Sequence, residues 1–136
     1  MLLFAIRDRV YGCEIETVRE IIPLRRATRL PGAPGFVSGL VNLRGTILTV
    51  VDLGRRLGAS DGARSDGSIV LVERGAKVVG VCVDEVRDVQ PLAADRLEPA
   101  TGDHARGGIV RGVGHLEDET VVILLDMHAI VKQVLL

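Results

Sequence analysis

The stretch from Leu40 to Leu53, Leu-Val-Asn-Leu-Arg-Gly-Thr-Ile-Leu-Thr-Val-Val-Asp-Leu, constrains the fold more than any other part of the chain. Asn42-Leu43-Arg44-Gly45 reads as a tight turn, with Gly45 able to take a positive φ that a side chain resists. Ile47 to Val51 is apolar at nearly every position, which predicts a strand covered on both faces. Asp52 ends that strand with an oxygen suited to cap a short helix to Leu57, and Gly58 supplies the C-terminal stop. Strand, turn, strand and helix cap thus form one local unit. Its one charged tip is Arg44.

The same unit recurs. Thr46–Leu53 aligns without gaps on Thr120–Met127, placing Asp52 on Asp126, and Gly39–Leu43 echoes Gly112–Leu116. Two small sheets or barrels with a shared core follow from such a repeat. The flanking segments agree with a chain of many short strands. Leu2–Ile6 and Val10–Glu16 form a first hairpin, with Tyr11, Cys13 and Ile15 expected on one buried face. Ile69–Glu73 and Lys77–Val83 form another, and Ile109–Leu116 and Thr120–Leu125 a third around Glu117-Asp118-Glu119. Thr17-Val18-Arg19-Glu20 fits a capping box, which predicts a short helix ended by Pro23. Residues 59–67 and 95–108 read as surface loops. Asp126 caps a final helix with Met127, Ile130, Val131 and Val134 on one stripe.

Length and composition narrow the function. The chain has 136 residues, 47 % of them hydrophobic, and its aromatics are only Phe4, Tyr11 and Phe36. One domain spanning 1–136 with an aliphatic, β-branched core is expected. The apolar runs are too short for a signal segment or a membrane span, which points to a cytoplasmic protein. Cys13 and Cys82 have neither disulfide-framework nor metal spacing, and His104, His115 and His128 lack partners at ligand spacing. No metal or cofactor is expected. Asp52, Asp84 and Asp126 end apolar strands and are the only candidates for carboxylate catalysis; helix capping and strand termination explain them better. An enzyme is therefore not expected. Arg25, Arg26, Arg29, Arg55 and Arg56 raise a nucleic-acid-binding barrel as the competing class, but the near-absence of aromatic stacking platforms argues against it. Arg44 and Glu20 are expected to pair, fixing the early element to the turn beside an aliphatic groove.

With these residues in place, the sequence resembles the CheW family of chemosensory scaffold proteins over essentially its whole length. The resemblance runs through Tyr11-Gly12, Val18-Arg19-Glu20-Ile21 and the approach Pro34-Gly35-Phe36-Val37-Ser38-Gly39. Val41-Asn42-Leu43-Arg44-Gly45 with Val50-Val51-Asp52-Leu53 carries it most specifically, and Val78 to Val86 continues it. It implies a mostly β fold: two intertwined SH3-like five-stranded β-barrels, not contiguous in sequence, sharing a core with short helices including a C-terminal one. It implies no catalysis. Its implied partners are the cytoplasmic tip of methyl-accepting chemoreceptors and the regulatory domain of a CheA-type histidine kinase. Receptor contact carries onto Val18, Glu20, Gly39, Arg44 and Gly45; kinase contact lies at barrel ends without residue assignment. Thr49 stands where the family usually has Pro, which restores a backbone donor and raises the alternative of an accessory module that binds one partner alone. Self-association through short sheet edges is also open.

Overall fold

The structure is a computed structural model and describes residues 1–58, 66–100 and 108–134. Eleven strands and two short α-helices are ordered along these residues. Of the loops expected at 59–67 and 95–108, residues 59–65 and 101–107 lie outside the described residues. The strands are β1 (Leu2–Ile6), β2 (Arg9–Cys13), β3 (Val18–Pro23), β4 (Val37–Leu43), β5 (Thr46–Asp52), β6 (Ser68–Arg74), β7 (Lys77–Val83), β8 (Glu85–Val89), β9 (Leu97–Pro99), β10 (Val110–His115) and β11 (Val121–Leu125). Helix α1 covers Leu53–Arg56 and α2 covers Met127–Val134.

Two sheets result, in the orders β3-β6-β7-β5-β4 and β8-β1-β2-β11-β10-β9. They are the two SH3-like barrel subdomains. The first has five strands; the second carries a sixth, the three-residue β9, within a segment expected to be loop. Each half of the chain contributes its first hairpin to one sheet and its later strands to the other. Hairpin β1–β2 precedes β3–β5, yet joins the sheet of β8–β11; hairpin β6–β7 precedes β8–β11, yet joins the sheet of β3–β5. In both sheets the exchanged hairpin meets the resident strands through a parallel pair, β2 with β11 and β7 with β5.

The repeat in the sequence is a repeat in three dimensions. Hairpins β4–β5 and β10–β11 each shift register near their start, between Val37 and Gly39 and between Val110 and Gly112. The Asp52 amide donates to the Phe36 carbonyl at 2.7 Å, and the Asp126 amide to the Ile109 carbonyl at 2.8 Å. Each aspartate then caps its helix: Asp52 Oδ1 accepts from the Arg55 amide at 3.2 Å, and Asp126 Oδ1 from the Ala129 amide at 3.1 Å. Asp84 differs. It accepts from the Arg7 amide at 2.6 Å and from the Arg7 guanidinium at 3.0 Å, clamping the β1–β2 turn to the β7–β8 crossover.

The core has three parts. The largest joins the sheets, packing Phe4 and Tyr11 with Val51, Val70, Val72, Val79 and Val81 beneath Met127, Ile130 and Val131 of α2. A second cluster, including Ile22, Val41, Leu48, Val50 and Leu71, fills the five-stranded barrel. A smaller one of Leu3, Leu116 and Val122 fills the other. Burial of this aliphatic surface is the main driving term for the fold.

Three local expectations are corrected. Residues 18–23 form a strand where the capping box predicts a helix. Val18, Ile21 and Ile22 are β-branched, and β6 offers them an edge to pair with; the Thr17 hydroxyl donates to the Glu14 carbonyl instead of capping. Pro23 is tolerated because β3 is an edge strand. Ile15 leaves the buried face of Tyr11 and Cys13, since β2 ends at Cys13 and a single 3-10 turn begins at Ile15. Ile47 is 59 % exposed. The β5–β7 ladder begins only at Thr49, so at residues 46–48 β4 is the one strand paired with β5, and the Ile47 side chain is left open.

Candidate partner-docking site

The β4–β5 turn has two central residues, since Leu43 pairs with Thr46 across it. Arg44 and Gly45 both hold positive φ, 50° and 86°, as a two-residue primed hairpin loop requires. The sequence reading placed that demand on Gly45 alone. Asn42 Oδ1 accepts from the Gly45 amide at 2.9 Å and helps hold Arg44 in the left-handed region. From there the Arg44 guanidinium donates to the Glu20 carboxylate.

That pair joins opposite edges of the five-stranded sheet. Glu20 belongs to β3 at one edge, and Arg44 lies in the turn that follows β4 at the other. The bond therefore closes the curl of the sheet between strands that share no ladder. With the Arg44 side chain 68 % and the Glu20 side chain 33 % exposed, such a surface pair adds only about 0–1 kcal/mol. Its effect is geometric. Beneath it lies a groove of about 320 Å³ whose walls include Arg19, Leu43, Ile47, Leu71 and Val78. Leu43 and Val78 pack on the second core cluster below, so the groove is the open end of that barrel.

The five residues expected at a receptor contact separate in space. Glu20 and Arg44 line the groove and Gly45 adjoins it. Val18 packs against the core between the sheets. Gly39 (φ 141°) lies under the Thr28 carbonyl, where a Cβ would come within 2.1 Å of that oxygen. It lets Thr28 and Leu40 exchange two backbone hydrogen bonds of 2.8 Å. Sequence reasoning missed Leu43, Ile47 and Val78 as groove walls, because apolar strand residues carry the same signal whether a barrel end covers them or leaves them open.

The other candidates resolve into structural roles. Arg56 turns from the basic face to Gln133 Oε1, at 3.0 and 2.9 Å, and its guanidinium lies 5.8 Å from the Phe36 ring centre. His128 Nε2 meets the Glu73 carbonyl at 3.2 Å. Burial pushes the Cys13 thiol up to about 11. Burial, then the nearby Asp52 carboxylate, pushes Cys82 up to about 12. Both thiols stay protonated at neutral pH, a poor state for a nucleophile. Thr49 pairs with Leu40 and Val79, and the β4–β5 ladder runs without a break from Gly39 to Leu43. Among the described residues no helix is long and apolar enough to cross a membrane.

Residues 1–135 match the CheW-like domain family. The chain is 35 % identical to the chemotaxis protein CheW of Klebsiella aerogenes, an alignment covering 96 % of this chain and 80 % of that protein. It is 27 % identical to the chemotaxis protein CheW of Thermotoga maritima, covering 98 % and 88 %. The crystal structure of the scaffolding protein TtCheW from Thermoanaerobacter tengcongensis superposes with a TM-score of 0.80 at 30 % identity, over 92 % of this chain and 86 % of that one. Family match, relatives and the doubled barrel agree: the chain belongs to the CheW-like family.

Proposed function

We propose that this protein is a coupling adaptor of a chemosensory array, acting in the cytoplasm without catalysis. It holds the cytoplasmic tip of methyl-accepting chemoreceptors and the regulatory domain of a CheA-type histidine kinase in one complex. The receptor-facing surface is the groove under the Glu20–Arg44 pair, with Gly45 setting the turn; Val18 and Gly39 support it by holding β3 and β4 in place. Kinase contact belongs to barrel ends. The observation that carries this reading is an ion pair spanning both edges of a barrel above an aliphatic groove, in a chain of the CheW-like family. Apolar walls supply contact area, and the fixed charges set register and partner choice.

Co-sedimentation with receptor signalling fragments and the kinase tests it. Arg44→Ala is expected to fold as the wild type does and to weaken receptor capture by about tenfold or more, as loss of an arginine anchor does. Full receptor capture by the folded variant would remove the groove from the receptor interface. Capture of only one partner by the wild-type protein would replace the coupling adaptor with a one-partner accessory module.

A further inference from the structure

The hairpin turns of the two halves are equivalent in the fold and opposite in chemistry. Arg44-Gly45 joins β4 to β5; Glu117-Asp118-Glu119 lies between β10 and β11, the only run of three acidic residues in the sequence. All three are exposed. The acidic turn is firmly built: Leu116 donates to the Thr120 carbonyl at 2.9 Å, and Glu119 to the Leu116 carbonyl at 3.0 Å. The Thr120 amide donates to Asp118 Oδ1 at 3.1 Å, and hydrogen bonding from the Thr120 side chain, then from its amide, holds the Asp118 carboxyl below its ordinary range. Two residues after Glu119 stands Val121, an apolar side chain 51 % exposed.

On the other barrel, a cavity of about 480 Å³ opens beside β4 and α1. Arg25, Arg26, Arg29 and Arg55 line it, against the one carboxylate of Asp52. Asp52 is already engaged, as the helix cap and by Arg55 at 3.7 Å. Arg26 and Arg29 have no carboxylate partner among the described residues. Val37 and Val50 provide apolar wall beside Asp52. A compact polyphosphate filling this space would lie against that buried carboxylate. The arrangement instead suits an acidic segment held by the arginines, with an apolar side chain directed inward.

We propose that the acidic β10–β11 turn of one copy docks, with Val121, on the arginine-lined cavity of a second copy. This interface goes beyond the adaptor reading and does not depend on it. A preformed turn loses little freedom on binding. The two patches differ, so the contact is heterologous and repeats copy after copy as an open chain unless its rotation closes a ring. A single turn in a cavity is a small interface, and association is accordingly weak and driven by charge.

Sedimentation velocity of the full chain over a concentration series tests this. The sedimentation coefficient is expected to rise with concentration in 0.1 M salt. Raising salt to 1 M shortens the screening length from about 10 Å to about 3 Å and is expected to weaken association roughly tenfold. Arg26→Glu/Arg29→Glu and Glu117→Lys/Glu119→Lys should each abolish it alone, with circular dichroism confirming the fold. An equimolar mixture of the two should restore it, because reversed turn meets reversed cavity and native turn meets native cavity. A monomer throughout the series, association unchanged by either reversal, or a silent mixture of folded variants overturns the proposal. Binding of inorganic pyrophosphate at the arginines without self-association would also overturn it, in favour of a phosphate site. Should a reversal variant fail to fold, Arg26→Gln/Arg29→Gln and Glu117→Gln/Glu119→Gln replace the pair, and unchanged association in both is the overturning result.

Discussion

Gly39 and Gly45 both hold positive φ, yet they tolerate change very differently. At Gly45 a Cβ would meet nothing within 4 Å, so Gly45→Ala is expected to cost only about 1 kcal/mol, the backbone penalty alone. At Gly39 the added carbon would strike a backbone carbonyl, and Thr28 cannot yield without breaking its two bonds to Leu40. Gly39→Ala is expected to cost about 3 kcal/mol or more; urea denaturation of the two variants measures the contrast. The thiols offer a second check at this scale. Cys82 is raised from 9.0 to about 12 in the folded chain, so folding keeps a proton that the unfolded chain releases. That contribution is complete below pH 9 and is lost as pH rises through the window up to about 12. Stability should therefore fall more steeply with pH above 9 in the wild type than in Cys82→Ala, read from denaturation midpoints at each pH.

Among the elements, the three strand-ending aspartates divide by what they hold. Asp52→Ala and Asp126→Ala each remove a helix cap and are expected to cost about 1 kcal/mol. Asp84→Ala also leaves the Arg7 clamp without its carboxylate. Because the Arg7 side chain is only partly exposed, at 26 %, the loss should be nearer 2–3 kcal/mol, below the 3–5 kcal/mol of a fully buried pair. Thermal denaturation of the three single variants gives the ranking. Capping was legible because an aspartate after an aliphatic strand and before a helical stripe has one simple use. Strand β3 was not. Thr17 to Glu20 satisfies a capping box locally, and only the free edge of β6, brought there by the exchanged hairpin, makes the extended form win. Strand β9 was hidden for the same reason: Leu97–Pro99 contains little strand signal and is held by β10. Its place corresponds to the Thr28 bridge on β4. The Glu20–Arg44 pair was expected from opposite charges on a capped early element and on the turn, and it forms although that element is a strand rather than a helix. The groove walls could not be read from the sequence, since exposure of Ile47 depends on where a neighbouring ladder begins.

For the molecule as a whole, the exchanged hairpins place residues of both sheets in the largest core cluster. We propose that the chain unfolds as one domain, in a single transition by both near- and far-ultraviolet circular dichroism. Two separated transitions would mean that each barrel holds together alone. The pairing of fold and adaptor function rests on this unity, since the groove lies on one barrel while that barrel's β6 and β7 come from the second half of the chain. The crossover between β7 and β8 is the single residue Asp84, and Arg7 grips it from the neighbouring turn. Such a joint has no slack. A torque applied to one barrel by a bound partner is expected to meet no loose hinge at this crossover. It passes through the clamp into the other barrel, as through a keyed shaft.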